Sequence, residues 1–188
     1  MNKSKNELRR YYKAIRLNMA DKKCKDKKIT ENLLNSDIYI KAENILLYVS
    51  SSIEVDTFAI IENAFMNNKT VSVPRCNTED CTMEFYIITS FEDLIKGAYG
   101  IYEPDISCKK AFFDEKSVCI VPGLSYDKDG YRLGFGKGFY DRFLSVFSGK
   151  SVGLCYDECV CEKTVRDKFD KSVSVLITET EIKTINYT

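Results

Sequence analysis

Three glycines stand at alternate positions in one short stretch of the chain: Gly134, Gly136 and Gly138. Glycine adopts backbone conformations that other residues avoid, so successive N–H groups of this stretch can turn toward one point and bind a phosphate. Arg132 and Lys137 add positive charge beside it, and Asp141 adds the hard carboxylate oxygen that Mg²⁺ prefers. The spacing therefore predicts a site for a nucleoside triphosphate with Mg²⁺.

The same stretch also fits a flexible connection, because glycine clusters are typical of mobile loops. Its spacing differs from the dinucleotide fingerprint G-x-G-x-x-G, and the chain has no G-K-[ST], so neither a Rossmann nor a P-loop assignment is supported. An apolar run at residues 118–121 precedes the glycines, and an amphipathic run begins near Gly138. This order indicates a buried strand, a loop and a helix.

The composition is that of a globular protein whose charges balance. The chain has 188 residues, of which 44% are hydrophobic, and its 28 basic and 28 acidic side chains cancel. That balance gives no overall field favouring nucleic acid or an anionic membrane. No apolar run approaches the roughly 18 residues of a membrane span, and the N-terminal residues lack the apolar segment of a signal peptide. We therefore expect a cytoplasmic protein without nucleic-acid or membrane partners. A monomer is expected rather than an oligomer.

The chain contains no histidine, which excludes several kinds of site. Neither a Ser-His-Asp nor a Cys-His catalytic pair can form, and the usual zinc sites cannot be completed. The eight cysteines include no C-x-x-C pair, so we expect reduced thiols that pack as small apolar side chains.

Hydrophobic periodicity predicts an α/β protein. Helices are expected at residues 3–19, 21–35, 56–67 and 91–96, the second of them beginning at an Asp21 cap. Strands are expected at residues 45–49, 70–73, 83–87, 118–121, 149–156 and 173–177, with Pro74 ending the second and no strand after the sixth. Strands alternating with helices, without repeats or a linker, indicate one domain over residues 1–188 with three α/β/α layers and a mostly parallel sheet.

Two groups of charged side chains fit either a structural or a functional role. Four basic residues of the first predicted helix recur every three to four positions and fall near one side, which by itself suggests a solvated face: Lys5, Arg9, Lys13 and Arg16. Glu54 precedes a predicted helix, and the dipole of that helix favours an acidic residue at this end. It also follows the strand at 45–49, and ligands of open α/β sheets lie beyond the carboxyl ends of the strands.

Four segments together resemble one enzyme family. Residues 121–142 contain V-P-G-L and then G-Y-R-L-G-F-G-K-G-F-Y-D-R. They are similar to the signature V-P-G-L-x-F-D-x-x-G-x-R-L-G-x-G-x-G-Y-Y-D of the 5-formyltetrahydrofolate cyclo-ligases, with Phe139 in place of the first tyrosine of its Y-Y-D. K-N-E-L-R at residues 5–9, E-V-D-T at 54–57 and G-I-Y-E-P at 100–104 match further segments of that family.

The resemblance implies a fold like that of glucosamine-phosphate isomerase, ribose-phosphate isomerase and the CoA-transferases. It also implies an enzyme that converts 5-formyltetrahydrofolate and ATP to 5,10-methenyltetrahydrofolate, ADP and phosphate. In that reaction the γ-phosphoryl group moves to the formyl oxygen and N10 of the folate then closes the ring. Such a reaction needs alignment and charge neutralisation more than a protein nucleophile. ATP and the folate are thus the expected substrates, and Mg²⁺ is the expected cofactor.

The resemblance also assigns roles to individual residues. Those expected at the ATP site are Lys5, Arg9, Arg132, Leu133, Gly134, Phe135, Gly136, Lys137, Gly138, Phe139 and Tyr140. Arg9, Arg132 and Lys137 are expected to act in catalysis by neutralising charge on the transferred group. The folate is expected to contact Val49, Glu54, Arg9 and Tyr140, with the Glu54 carboxylate accepting hydrogen bonds from the pterin. Asp141 and Asp170 are the expected Mg²⁺ ligands.

The C-terminal part of the chain departs from the family pattern. Gln, Pro and His are common in the family at the positions of Cys159, Val165 and Phe169. The assignment of Asp170 as a Mg²⁺ ligand therefore rests on a weaker match than that of Asp141. Two other functions are compatible with parts of the pattern. A non-catalytic nucleotide- or RNA-binding protein of the same fold would be expected to lose the phosphate-binding cations. A sugar-phosphate isomerase would have no use for the basic pair Lys5 and Arg9.

Overall fold

The computed structural model describes residues 4–97 and 100–185, so the expected helix start at residue 3 lies outside the described part. The helices are α1 (Lys5–Leu17), α2 (Lys22–Leu34), α3 (Asp37–Ile40), α4 (Phe58–Met66) and α5 (Phe139–Leu144). The strands are β1 (Asn44–Leu47), β2 (Thr70–Asn77), β3 (Thr82–Ile88), β4 (Leu94–Lys96), β5 (Tyr102–Pro104), β6 (Val118–Val121), β7 (Ser125–Asp127), β8 (Arg132–Leu133), β9 (Lys150–Leu154), β10 (Val160–Cys161), β11 (Val175–Ile177) and β12 (Ile182–Thr184).

Seven strands form the central sheet, in the order β12-β11-β9-β6-β1-β2-β3. The inner strands are parallel, whereas β12 and β3 pair antiparallel at the two edges. From β1 the chain passes through α4 to β2 on one side, and from β6 it passes through α5 to β9 on the other. Because such crossovers are right-handed, the chain leaves β1 and β6 toward opposite faces of the sheet. A crevice therefore opens between the carboxyl ends of β1 and β6, where ligands of this fold class bind.

Helices cover the sheet on both faces, as the crossover directions require. Helix α4 packs against β2 and contacts α2, while α5 packs against β3. Strand β6 and, after Asn44, strand β1 have continuous apolar sequences and are buried, as expected for central strands covered on both faces. The predicted α/β class with a mostly parallel central sheet is confirmed. None of the helices in the described part of the chain is long and apolar enough to cross a membrane.

Strand β2 is longer than predicted. It continues through Pro74 and Arg75 to Asn77 and pairs with β3 along this length. Among the described residues, β1 pairs with β2 only as far as Ser72. Pro74 therefore lies beyond this pairing, on a side of β2 that has no β1 partner. The missing N–H of proline is tolerated at such an edge because it removes no hydrogen bond from the ladder.

Three other sequence-based assignments were wrong. Residues 91–96 form a 3-10 turn (Phe91–Asp93) and then β4, because β4 finds a partner in β5 that local periodicity does not reveal. The strand at 173–177 is not the last, since β12 pairs with β11 beyond it. Asp21 stands at the cap position of α2, but its φ of 53° is left-handed and its side chain makes no cap hydrogen bond. A capping residue needs an extended backbone to aim its oxygen at the first turn.

Asp127 at the end of β7 is fully buried and joins two separate segments of the chain. Its Oδ1 accepts hydrogen bonds from the N–H groups of Asp129 and Tyr131, both at 3.0 Å. Its Oδ2 accepts from the Thr164 N–H at 3.0 Å and from the Arg166 guanidinium at 2.6 Å. Asp127 thus closes the turn between β7 and β8 and ties it to the segment that follows β10.

We expect Asp127→Ala to lower the free energy of unfolding by about 3–5 kcal/mol, because it removes the buried carboxylate that pairs with Arg166 and leaves the N–H groups of Thr164, Tyr131 and Asp129 without their acceptor. Urea denaturation measures this. Asp129→Ala is the matched control, since its carboxylate is also 2.6 Å from Arg166 but is 62% exposed. Asp129→Ala should cost far less stability. Equal losses of stability in the two variants would show that Asp127 does not fix the turn between β7 and β8 to the segment after β10.

Candidate active site

The glycine loop (residues 134–138) presents a row of unpaired backbone donors. Within the described chain, none of its N–H groups donates a hydrogen bond to a protein acceptor. Gly136 (φ 106°) and Gly138 (φ 70°) adopt left-handed conformations that favour glycine. Gly134 does not, but a Cβ placed there would meet no atom within 4 Å, so the space beside it is open. Helix α5, which follows, has only six residues, so the loop N–H groups rather than a helix dipole make this a place for an anion.

Helix α1 brings Arg9 onto the glycine loop. Its Nε donates to the Gly134 carbonyl at 3.0 Å, and its Nη1 donates to Asn6 Oδ1 at 2.6 Å. A Cβ on Gly136 would lie 3.1 Å from Arg9 Cζ, so this guanidinium packs directly against the loop backbone. The structure therefore joins residues that are 125 positions apart in the sequence.

Two of the expected phosphate cations lie in different environments. Lys137 is exposed, and its ammonium group has no hydrogen-bond or ion-pair partner among the described residues. Lys5 is held by Asp167 at 2.6 Å and by Asp170 at 2.8 Å. Burial by itself would lower the pKa of Lys5, but the hydrogen bonds to the two carboxylates outweigh it and raise that pKa above its ordinary value. Lys5 is therefore positively charged at neutral pH.

The expected metal ligands are ion-paired with expected phosphate cations. Asp141 Oδ1 lies 2.8 Å from Arg132 Nη2 and accepts the Lys171 N–H at 3.1 Å, and Arg132 is only 4% exposed. Asp170 is the partner of Lys5. No cluster of three or more potential ligands occurs within residues 4–97 and 100–185. The two carboxylates nevertheless suit Mg²⁺, which usually takes one or two carboxylates and completes its shell with water and phosphate oxygens.

A second group of polar atoms lies in the crevice. Glu54 is 7% exposed, and its Oε2 accepts from the Ser51 N–H at 2.9 Å and hydroxyl at 2.7 Å. No described group donates to its other oxygen. The Tyr140 hydroxyl is buried and has no hydrogen-bond partner among the described residues. Burial above all, with neighbouring negative charge that includes Glu54, holds the pKa of Tyr140 well above its ordinary value. A buried hydroxyl without a partner suggests that a polar ligand completes its hydrogen bonding.

The remaining predicted site residues differ in accessibility. Val49 and Leu133 are 4% and 1% exposed, so Leu133 can reach a ligand only through its backbone. Phe135 is 42% exposed and lies beneath the Lys13 ammonium, 5.7 Å from the ring centroid. Phe139 is half-buried and packs against the core.

Sequence reasoning missed several residues that support this region. Arg16 was grouped with a solvated basic face, yet it is 3% exposed. Its position four residues after Tyr12, on the apolar side of α1, was a signal that could have identified it. Asp167, the second partner of Lys5, and the pair of Asp127 with Arg166 carried no comparable signal because their contacts are long-range.

Sequence and structure comparisons with known proteins point to the same enzyme family. The chain matches the 5-formyltetrahydrofolate cyclo-ligase family over residues 1–179. The 5-formyltetrahydrofolate cyclo-ligase of Haemophilus influenzae is 32% identical over 138 residues, which cover 70% of this chain and 73% of that protein. The enzyme of the same name from Mus musculus is 27% identical over 163 residues, 80% of each chain. The NMR structure of Aquifex aeolicus 5,10-methenyltetrahydrofolate synthetase has 31% identity and a TM-score of 0.84, covering 98% of this chain and 94% of that one. The chain belongs to the 5-formyltetrahydrofolate cyclo-ligase family.

Proposed function

We propose that this protein converts 5-formyltetrahydrofolate and ATP to 5,10-methenyltetrahydrofolate, ADP and phosphate. The observation that carries the proposal is the glycine loop, which includes Lys137 and whose N–H groups are unpaired among the described residues. Arg9 contacts this loop beside the crevice that contains Glu54 and Tyr140. Family membership supports the same reaction. We further propose that one domain over residues 1–188 performs it as a cytoplasmic monomer, with these small molecules as its partners and without nucleic acid or membrane.

The triphosphate would lie against the glycine loop. The loop N–H groups would bind phosphate oxygens, and Lys137 is exposed and positioned to approach them. Arg9 already touches the loop through Gly134, so it could bridge the nucleotide and the folate. Lys5 and Arg132 would exchange part of their contact with Asp170 and Asp141 for phosphate oxygens.

Asp141 and Asp170 would hold Mg²⁺, since both offer hard carboxylate oxygens beside the cations of the nucleotide site. Bound Mg²⁺ would neutralise charge on the phosphate oxygens during transfer. The hydrogen bond from the Lys171 N–H fixes the orientation of Asp141 independently of any ligand. Asp170 is oriented in the same way, because its Oδ2 accepts the Asp167 N–H at 2.8 Å.

The folate would occupy the crevice between the ends of β1 and β6. Glu54 would accept hydrogen bonds from the donor edge of the pterin, with its Oε2 already oriented by Ser51. Val49 would provide apolar contact. Because the pKa of Tyr140 is raised, its hydroxyl stays protonated at neutral pH and would act as a donor to the substrate rather than as a base.

The proposed chemistry requires that the formyl oxygen and the terminal phosphorus meet in line. Positioning of this kind can contribute about 7–11 kcal/mol to lowering a barrier. The chain needs no nucleophile of its own, because the folate formyl oxygen and N10 supply the attacking atoms. Arg9, Arg132 and Lys137 would stabilise charge on the group in transit.

Mixing the protein with ATP, Mg²⁺ and 5-formyltetrahydrofolate tests the proposal directly. We expect absorbance to grow in the methenyl-folate band and ADP to appear in equal amount. No growth at high protein concentration, with folding verified by circular dichroism, would reject the enzyme assignment. Nucleotide binding in that case would point instead to a non-catalytic member of the same fold.

Lys137→Ala is expected to lower kcat by about 100-fold, the effect of removing one group that stabilises transition-state charge. Its melting temperature should not change, because the exposed ammonium group makes no hydrogen bond or ion pair within the described chain. Lys27→Ala is the matched control, since Lys27 is 77% exposed and lies on α2. Wild-type kcat in Lys137→Ala would remove this lysine from the proposed machinery.

Removal of Mg²⁺ with EDTA should abolish activity, and added Mg²⁺ should restore it. Asp141→Asn should raise the Mg²⁺ concentration for half-maximal activity by at least about tenfold, the lower end of what losing even an outer-shell partner produces. Asp129→Asn, which changes an exposed acid in the turn after β7, serves as the control. An unchanged Mg²⁺ requirement in Asp141→Asn would contradict the assigned ligand.

A further inference from the structure

Arg16 is a buried cation without a carboxylate partner in the described chain. It is 3% exposed and donates hydrogen bonds to three backbone carbonyls: Leu124 at 3.0 Å, Gly123 at 2.6 Å and Ile53 at 3.1 Å. Its guanidinium also contacts the Cys159 thiol. The Tyr156 ring lies 5.1 Å from its Cζ. Burying a charge is costly unless it is well hydrogen-bonded. The planar guanidinium offers a fixed fork of donors that can meet carbonyls from different directions.

These carbonyls belong to two different loops. Gly123 and Leu124 lie in the β6 loop (residues 122–124), which leads through β7 and β8 to the glycine loop. Ile53 lies in the Glu54 loop (residues 50–57), immediately before Glu54. The two loops leave adjacent strands toward opposite faces of the sheet, so backbone pairing between strands does not fix their separation. Arg16 spans the crevice between them.

The Glu54 loop is fixed by side chains from elsewhere as well. The Tyr156 hydroxyl donates to the Glu54 carbonyl at 3.1 Å, and the Tyr48 hydroxyl donates to the Val55 carbonyl at 3.0 Å. The Tyr156 hydroxyl also lies 2.6 Å from Asp26 Oδ1 of α2, and neither phenol hydrogen-bonds to the β6 loop in the described part of the chain. Arg16 differs because one group bonds to both loops at once.

Helix α1 connects this contact with the nucleotide site. Arg9 precedes Arg16 by seven residues, which is about two helical turns and therefore the same side of α1. Arg9 contacts the glycine loop near the start of α1. Arg16, near the end of α1, hydrogen-bonds to the β6 loop and the Glu54 loop.

We propose that Arg16 is a positioning residue for the reaction. Its guanidinium sets the distance between the loop that carries Glu54 and the loop that leads to the nucleotide. It touches neither substrate and acts through the backbone of both loops. This inference rests on the proposed function, because those loops are assigned to the folate and the nucleotide there.

Two variants test the proposal. Arg16→Lys keeps the charge and the stem but loses the fork, so it should fold and lower kcat/KM for 5-formyltetrahydrofolate by about 100-fold, the loss that a misplacement of about 1 Å can cause. Arg16→Ala should lose at least as much, and millimolar guanidinium should restore part of its activity whereas equal urea should not. Arg10→Ala, which removes an exposed arginine of the same helix, should behave as wild type.

Amide hydrogen exchange gives a readout that does not depend on activity. In Arg16→Lys, exchange should accelerate in the Glu54 loop and the β6 loop together, while the central strands keep their protection. Wild-type kcat/KM in folded Arg16→Lys, unchanged exchange in either loop, or the absence of rescue by guanidinium in folded Arg16→Ala would overturn the proposal. If Arg16→Ala does not fold, Arg16→Lys decides. An inactive wild-type protein would reject the proposed function, whereas the exchange experiment would still decide the role of Arg16.

Discussion

The separation of two loops at the carboxyl ends of β1 and β6 is the constraint on which the site depends. These strands are neighbours in the sheet, but their connections run in opposite directions. Such a divergence opens a crevice and also removes the pairing that would keep its walls in register. One buried guanidinium, that of Arg16, replaces this pairing by binding carbonyls from both walls. A cation is suitable because carbonyl oxygens bear partial negative charge and a guanidinium donates in several directions.

The charged side chains of the proposed nucleotide site are paired with each other within the protein. Arg132 pairs with Asp141, and Lys5 pairs with Asp170. Each pair joins a side chain suited to phosphate with one suited to Mg²⁺. In a metal-bound triphosphate, the phosphates could pair with the cationic side chains and Mg²⁺ with the carboxylates. Binding could therefore replace both ion pairs without leaving a buried charge uncompensated. This arrangement also explains how a chain with no net charge can present a site for a polyanion.

Local sequence predicted the elements whose structure depends on neighbours in the chain. An apolar run predicts strand β6, and clustered glycines predict the loop that follows. The start of α5 at Gly138 follows from the change to a helical spacing of the apolar residues. The errors at residues 74–77 and 91–96 have a common cause. In both places a distant strand provides backbone pairing, β3 for the first and β5 for the second, and that pairing overrides local preference. Strand β12 was missed for the same reason.

The sequence alone determined the α/β class, the residue types available for chemistry and, through matching segments, the family. It excluded histidine chemistry because the chain has none. Only the tertiary structure decided which charges meet: Arg9 with the glycine loop, Lys5 with Asp170, and Arg16 with two loops instead of solvent. The physical reason is that periodicity records which side of a helix a residue occupies but not what that side packs against. The position of Arg16 four residues after Tyr12 places it toward the apolar side of α1, unlike the exposed Lys13, but only the packed loops show which carbonyls bind its guanidinium.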